Sequence, residues 1–154
     1  MEIGRWLVDT NKKSSLTNVS AEAKLFLNYL LRCSGAYDEK FSYDVEHCVP
    51  KDVIKKYFLK KNITVPMSAV CNTVYIPASD NRGKGELTYY QKQKQDPGTY
   101  QLNQDQLDAF GYPARNDLMF VESVDTLTEK NYFDFLEKQR KIILNKFINS
   151  LYAC

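Results

Sequence analysis

Apolar residues recur along this chain at two periods, and the change of period marks out its elements. Trp6-Leu7-Val8 predicts a short packed segment, followed by an exposed polar connection up to Asn18. Ser20 is a helix N-cap type. After it, Ala21 to Leu31 is rich in helix formers, with Leu25, Tyr29 and Arg32 on one face and Phe26 and Leu30 beside it, and Gly35 closes the helix. Phe41, Tyr43 and Val45 then alternate with Ser42 and Asp44, a strand pattern that Pro50 terminates. The helical period returns from Lys51 to Lys61, with Val53, Ile54, Tyr57 and Phe58 inward and the lysines outward.

Thr73-Val74-Tyr75-Ile76 is a second strand closed by Pro77, and Ser79-Asp80-Asn81 supply N-cap types for a helix running towards Gln95. Gly83 and Gly85 weaken its first turn, and Asp96-Pro97-Gly98 ends it. A short helix over Gln104 to Phe110 and an extended piece over Leu118 to Val121 follow. From Thr128 onward Tyr132, Phe135, Leu136, Ile143, Phe147 and Leu151 recur at helical spacing and predict a long core helix. The expected class is α+β: a ββα unit over residues 41–95 within one domain of 1–154, flanked by helices over 1–40 and 96–154.

Composition narrows the classes. At 154 residues the chain suffices for one domain with a real core. No apolar run reaches the roughly 20 residues that cross a bilayer, and the first residues lack the succession of a signal peptide. Cys33, Cys48, Cys71 and Cys154 have no C-x-x-C spacing and only one histidine beside them, which argues against structural zinc and for reduced thiols in a cytoplasmic protein. Net charge is only +2, but it is unevenly spread. Between Lys51 and Lys94 nine Lys/Arg face three acids, a surplus of six, while the remainder holds 12 basic and 16 acidic residues. A polyanion-binding surface has this distribution, and so has a set of solvated lysines on helix faces.

The candidate chemistry lies inside that basic stretch. Glu46 and the single histidine, His47, stand where the first strand ends; Asn72 stands at the entrance of the second, and Asn81 opens Asn81-Arg82-Gly83-Lys84. Phosphodiester hydrolysis needs a proton acceptor for water and positive charge on the phosphate. A histidine, with an ordinary pKa of about 6.5, accepts a proton at neutral pH. Glu46 and Asn81 offer the hard oxygens that a magnesium-like ion prefers. Neighbours on a regular strand face opposite sides, which would separate base from ligand. Asn72 can fix the imidazole by a hydrogen bond. Arg82 and Lys84 are either phosphate contacts or surface charges, and Lys92 and Lys94 extend the same basic run. Tyr89 and Tyr90 suit packing better than base stacking.

Asp44 to Pro50, Cys71-Asn72-Thr73-Val74 and Ser79-Asp80-Asn81-Arg82-Gly83-Lys84 together resemble the HNH (ββα-metal) nuclease motif in its His-Asn-Asn form. The wording is close to that of the HNH domain of RNA-guided CRISPR effectors. The flanks, Leu25 to Leu31 and Asn131-Tyr132-Phe133 with Arg140, are similar to the C-terminal HNH domain of GmrSD-type modification-dependent restriction enzymes. The resemblance implies a ββα-metal core wrapped by helices and a metal-dependent DNA endonuclease in a restriction or phage-defence protein, leaving 5′-phosphate and 3′-hydroxyl ends. It makes His47 the general base, Glu46 and Asn81 ligands of Mg2+ or Mn2+, and Asn72 the residue that orients the histidine loop. It also implies an N-terminal ParB/sulfiredoxin-like NTP-binding domain or subunit, with this chain a C-terminal portion. Glu46 stands where many relatives have aspartate, Cys48 replaces an aliphatic residue, and the loop from Lys51 to Val70 is long. The alternatives are a catalytically silent nucleic-acid-binding module and an RNA nuclease.

Overall fold

The computed structural model describes residues 3–8, 18–81 and 85–153, and these form a mixed α+β arrangement in which helices surround a two-stranded sheet. Strand β1 (Tyr43–His47) pairs antiparallel with β2 (Thr73–Pro77), Val45 opposite Tyr75 and His47 opposite Thr73. The ladder runs one step past each end, through Cys48 N–H to the Asn72 carbonyl at 2.9 Å and Ala78 N–H to the Ser42 carbonyl at 2.9 Å. The strand expected over residues 41–45 therefore lies two residues further on, and Phe41 is exposed. Its shifted end carries Glu46 and His47 inside the ladder.

Helix α1 (Ile3–Leu7) buries Leu7 completely and approaches the last helix where Gly4 faces the Arg140 guanidinium. The polar connection expected after it falls largely on residues 9–17, outside the described residues. Helix α2 (Ala21–Cys33) begins as expected, the Ser20 hydroxyl accepting from Ala23 N–H at 3.2 Å, and the chain leaves it through Gly35 at φ 73°. Its inward row is Ala23, Leu27 and Leu31, while Leu25 is 74% exposed. The i, i+4 row with the small Ala23 is what meets the core, so the expected face is rotated. Helix α3 (Lys51–Tyr57) buries Val53 and Ile54, continues through a 3-10 turn over Leu59–Lys61, and leaves Lys55, Lys56, Lys60 and Lys61 exposed.

The helix expected after Asn81 is α4 (Tyr89–Gln95), which starts eight residues later than Asn81. Thr88 sets this start: its hydroxyl accepts from Gln91 N–H while the Gln91 side chain accepts from Thr88 N–H, a reciprocal capping box. Residues 78–81 form a turn, and 82–84 lie outside the described residues. Helix α5 (Gln104–Phe110) matches its expected span and ends on Gly111 at φ 84°, a conformation that favours glycine. Leu118 to Val121 is not extended: helix α6 (Arg115–Leu118) and a 3-10 turn over Met119–Val121 occupy it. Leu118 and Val121, three apart, are both buried, a helical spacing that a short apolar run does not reveal by itself.

Helix α7 (Glu129–Ala153) supplies the long stripe, with Tyr132, Phe135, Leu136 and Ile143 buried and Leu151 exposed. Phe147 packs against Phe26 and Tyr29 of α2, at ring-centre distances of 5.4 and 6.0 Å. The Tyr132 hydroxyl donates to the Pro66 carbonyl at 3.0 Å. That bond ties α7 to the long connection that leads into β2. No helix among the described residues is long and apolar enough to cross a membrane.

Candidate active site

The antiparallel pairing gathers three of the four residues singled out at the site around one strand end. His47 is opposite Thr73, so Asn72 lies beside the exit of β1. Asn72 is completely buried and all its amide bonds go to backbone: Oδ1 accepts from Val49 N–H at 2.8 Å, and Nδ2 donates to the carbonyls of Val49 at 3.1 Å and Met67 at 2.8 Å. Both amide hydrogens are thus spent on the loop, and the expected bond to the imidazole is replaced by a clamp on the chain around it. The imidazole has another neighbour, Ser68, whose Oγ lies 3.0 Å from His47 Nε2. Ser68 follows the clamped Met67, so one loop positions both the backbone and the ring.

The alternation of β1 buries Glu46 and leaves His47 half-buried, yet both reach one cleft of about 420 Å³. The cleft runs along the end of the strand rather than over one of its faces, since Val45, Glu46, His47 and Pro50 all line it. Lys24, Lys51, Lys55 and Lys92 line it too. Glu46 is 5% exposed and its Oε1 lies 3.1 Å from the Lys92 ammonium, itself 4% exposed. Lys92 was expected among the nucleic-acid contacts; it is an internal residue instead. The cause is the helix start: with Thr88 as the cap, Tyr89 and Lys92 are three apart on the same inward face. Lys94, two residues on, is exposed. Arg82 and Lys84 lie outside the described residues. Part of the basic surplus is also neutralised, Lys56 holding Glu86 at 2.8 Å.

Asn81 is 2% exposed, and its Nδ2 donates to the carbonyl of Val45, the residue before Glu46, at 3.2 Å. Its Oδ1 is buried with no hydrogen-bond partner among the described residues. A buried orphan acceptor costs about 1–3 kcal/mol, so such an atom is a candidate ligand. Among the described residues no cluster of three or more His, Cys, Asp or Glu forms. One carboxylate with one carboxamide oxygen is instead the sparse, hard set that suits a magnesium-like ion retaining several waters. The residues present fit such an ion.

The turn that carries Asn81 is held by Tyr89. This phenol is completely buried, donates to Asp80 Oδ1 at 2.8 Å and accepts from Leu102 N–H at 3.0 Å. Burial first, and the Asp80 carboxylate second, push its pKa well above the phenol range, so it stays a neutral donor. Tyr89→Phe should destabilise the fold by about 1–3 kcal/mol, because Leu102 N–H is left buried and unpaired. Urea unfolding checks this; an unchanged midpoint would show that Tyr89 only packs. Burial likewise pushes the Cys48 and Cys71 thiols up, with the Glu46 charge adding to the effect on Cys48, so both stay protonated and inert.

Ser68, and the internal roles of Lys92 and Tyr89, are what the sequence did not point to. A signal existed for two of them: Thr88-Tyr89-Tyr90-Gln91 reads as a capping box, and it fixes which residues of the following helix face inward. Nothing in the spacing pairs Ser68 with His47, 21 positions away. No family model matches the chain, and no curated protein or solved structure matches it either.

Proposed function

We propose that this chain is a metal-dependent DNA endonuclease with an HNH-type ββα-metal core, the nuclease module of a restriction or phage-defence protein. The observation that carries the reading is the buried Oδ1 of Asn81, without a hydrogen-bond partner among the described residues, on a side chain tied to the carbonyl of Val45, the residue before Glu46. Two motif segments far apart in sequence thereby meet with oxygen donors on both sides. The sequence resemblance supplies the reaction class, and the strand pairing of Tyr43–His47 with Thr73–Pro77 is compatible with it.

His47 acts as the base that takes a proton from water. The tautomer suited to this is the one in which Nε2–H donates to Ser68 and Nδ1 carries the accepting lone pair; if Ser68 donates to Nε2 instead, the ring proton sits on Nδ1 and the Nε2 lone pair is already engaged. Asn72 holds the loop on which this choice depends. Glu46 and Asn81 would hold a divalent ion, Mg2+ or Mn2+, which supplies Lewis acidity to a phosphoryl oxygen when bound. Lys24, Lys51 and Lys55 line the same cleft, with Asp52 3.7 Å from Lys55, and put net positive charge where DNA phosphates would lie. An N-terminal ParB/sulfiredoxin-like NTP-binding domain or subunit is the partner that the resemblance suggests.

Nicking of supercoiled plasmid in the presence of Mg2+ or Mn2+, and its loss in EDTA, is the direct test. Absence of nicking by a folded, DNA-binding protein would favour the second reading, a silent nucleic-acid-binding module. One feature speaks for that alternative: Lys92 already neutralises Glu46. Preference for an RNA strand in the same assay would make the chain an RNA nuclease. The DNA-binding role has its own expected outcome. Lys24→Ala with Lys55→Ala should weaken binding irrespective of sequence and lower the slope of log affinity against log salt by about one to two. An unchanged slope would make these lysines ordinary surface charges.

A further inference from the structure

We propose that Lys92 is an internal counter-cation which a divalent ion has to displace, so that metal uptake at this site exchanges one cation for another. The proposal rests on the reading of Glu46 and Asn81 as the metal-holding residues. A lysine is almost never fully buried without a partner. Lys92 is 4% exposed, and its ammonium lies 3.1 Å from Glu46 Oε1, across 46 residues of sequence. The capping box at Thr88 fixes the helix that brings it there. Glu46 therefore has its charge balanced before any ion arrives, and the strand end is stable without one.

A dication on the same carboxylate would leave three positive charges around one negative charge in a buried setting. Like charges so placed repel strongly where the effective dielectric is low. The ammonium is therefore the group that yields, because it sits on a flexible four-carbon stem. It has places to go. The ring of Tyr100 is centred 5.9 Å from Nζ and presents a cation-binding face, and Lys92 also lines the basic cleft. Asn81 Oδ1, buried without a hydrogen-bond partner among the described residues on a side chain tied to the Val45 carbonyl, is the independent sign that a ligand is missing.

Isothermal titration with MnCl2 at constant ionic strength, on wild type, Lys92→Met, Lys92→Gln and Lys92→Arg, tests the exchange. Removing the ammonium should tighten manganese binding by about tenfold or more, since the competing charge is gone. Lys92→Arg keeps the charge and should bind no more tightly than wild type. Thermal unfolding gives a second readout. In EDTA, Lys92→Met should melt below wild type because the buried Glu46 carboxylate loses its counter-cation, and added Mn2+ should raise its midpoint more than it raises that of wild type. Should Lys92→Met not fold in EDTA, folding on addition of Mn2+, but not of NaCl at equal ionic strength, is the same result in stronger form. Lys92→Gln, which keeps a neutral donor to Glu46, provides the titration in that case. Wild type that binds Mn2+ while Lys92→Met and Lys92→Gln bind equally or more weakly would overturn the exchange and leave the metal site standing. No manganese binding by any folded variant would remove the metal site and the exchange together.

Discussion

His47→Ala is expected to lower plasmid nicking by about a hundredfold to ten-thousandfold, the usual contribution of a positioned general base, and to leave manganese affinity close to wild type. The side chain is half-buried, lines the cleft and has Ser68 Oγ at 3.0 Å. Removing it takes away the proton acceptor without touching Glu46 or Asn81. Glu46 needs a gentler change. Glu46→Ala would strand the Lys92 ammonium, and breaking a buried pair from one side costs about 3–5 kcal/mol. Loss of activity in that variant would then report unfolding as much as metal loss. Glu46→Gln keeps an acceptor for Lys92 and removes the charge, so it should lose metal affinity and nicking together while remaining folded. Asn81→Ala should do the same through its Oδ1. Titration with manganese beside the nicking assay separates the roles. An active His47→Ala protein rules the mechanism out, and one that has lost its metal makes His47 a ligand.

The strand pair was legible because a proline closes β2, another follows β1 three residues on, and the first segment alternates, signals that depend only on local backbone and side-chain preferences. That Glu46, His47 and Asn72 meet at one strand end was legible too, since their positions at the exit of one strand and the entrance of the other set which segments must meet. The partners inside the site were not. Lys92 looks like any other lysine of a basic stretch until the helix start is known, and that start depended on Thr88 rather than on the cap types at Ser79 to Asn81. The expected bond from Asn72 to the imidazole failed for a geometric reason. A carboxamide buried at the strand entrance meets the carbonyls of Val49 and Met67 before it meets a ring that turns outward at the cleft. The helical turn over Arg115–Val121 escaped because four apolar residues in a row carry no period. In each case the missing information was tertiary: which face the core takes, and which backbone groups remain to be satisfied.

Asn72→Ala should be among the most damaging single substitutions near the site, lowering unfolding free energy by about 3–5 kcal/mol. The side chain is completely buried and satisfies three backbone groups at once, Val49 N–H, Val49 C=O and Met67 C=O. Alanine leaves all three without a partner and too far from bulk water to recover one. Against a typical total stability of about 5–15 kcal/mol, this is a large fraction. Asn72→Asp is the sharper experiment because it keeps the size and the acceptor. The new carboxylate can still accept from Val49 N–H, but it cannot donate, and it faces two carbonyl oxygens in a buried place. Its folded-state pKa must therefore rise above the ordinary value of about 3.9. The sign follows from proton binding. Between the unfolded and folded pKa values the native state holds more protons, so stability falls as pH rises above about 4 and levels off beyond the folded pKa. Wild type has no such group at this position and should lack that component. Urea unfolding of both proteins from pH 4 to pH 8 measures the difference directly. An Asn72→Asp protein whose deficit is the same at every pH would mean that the carboxylate is solvated, and an Asn72→Ala protein within about 1 kcal/mol of wild type would mean that the loop around His47 holds its shape without the clamp.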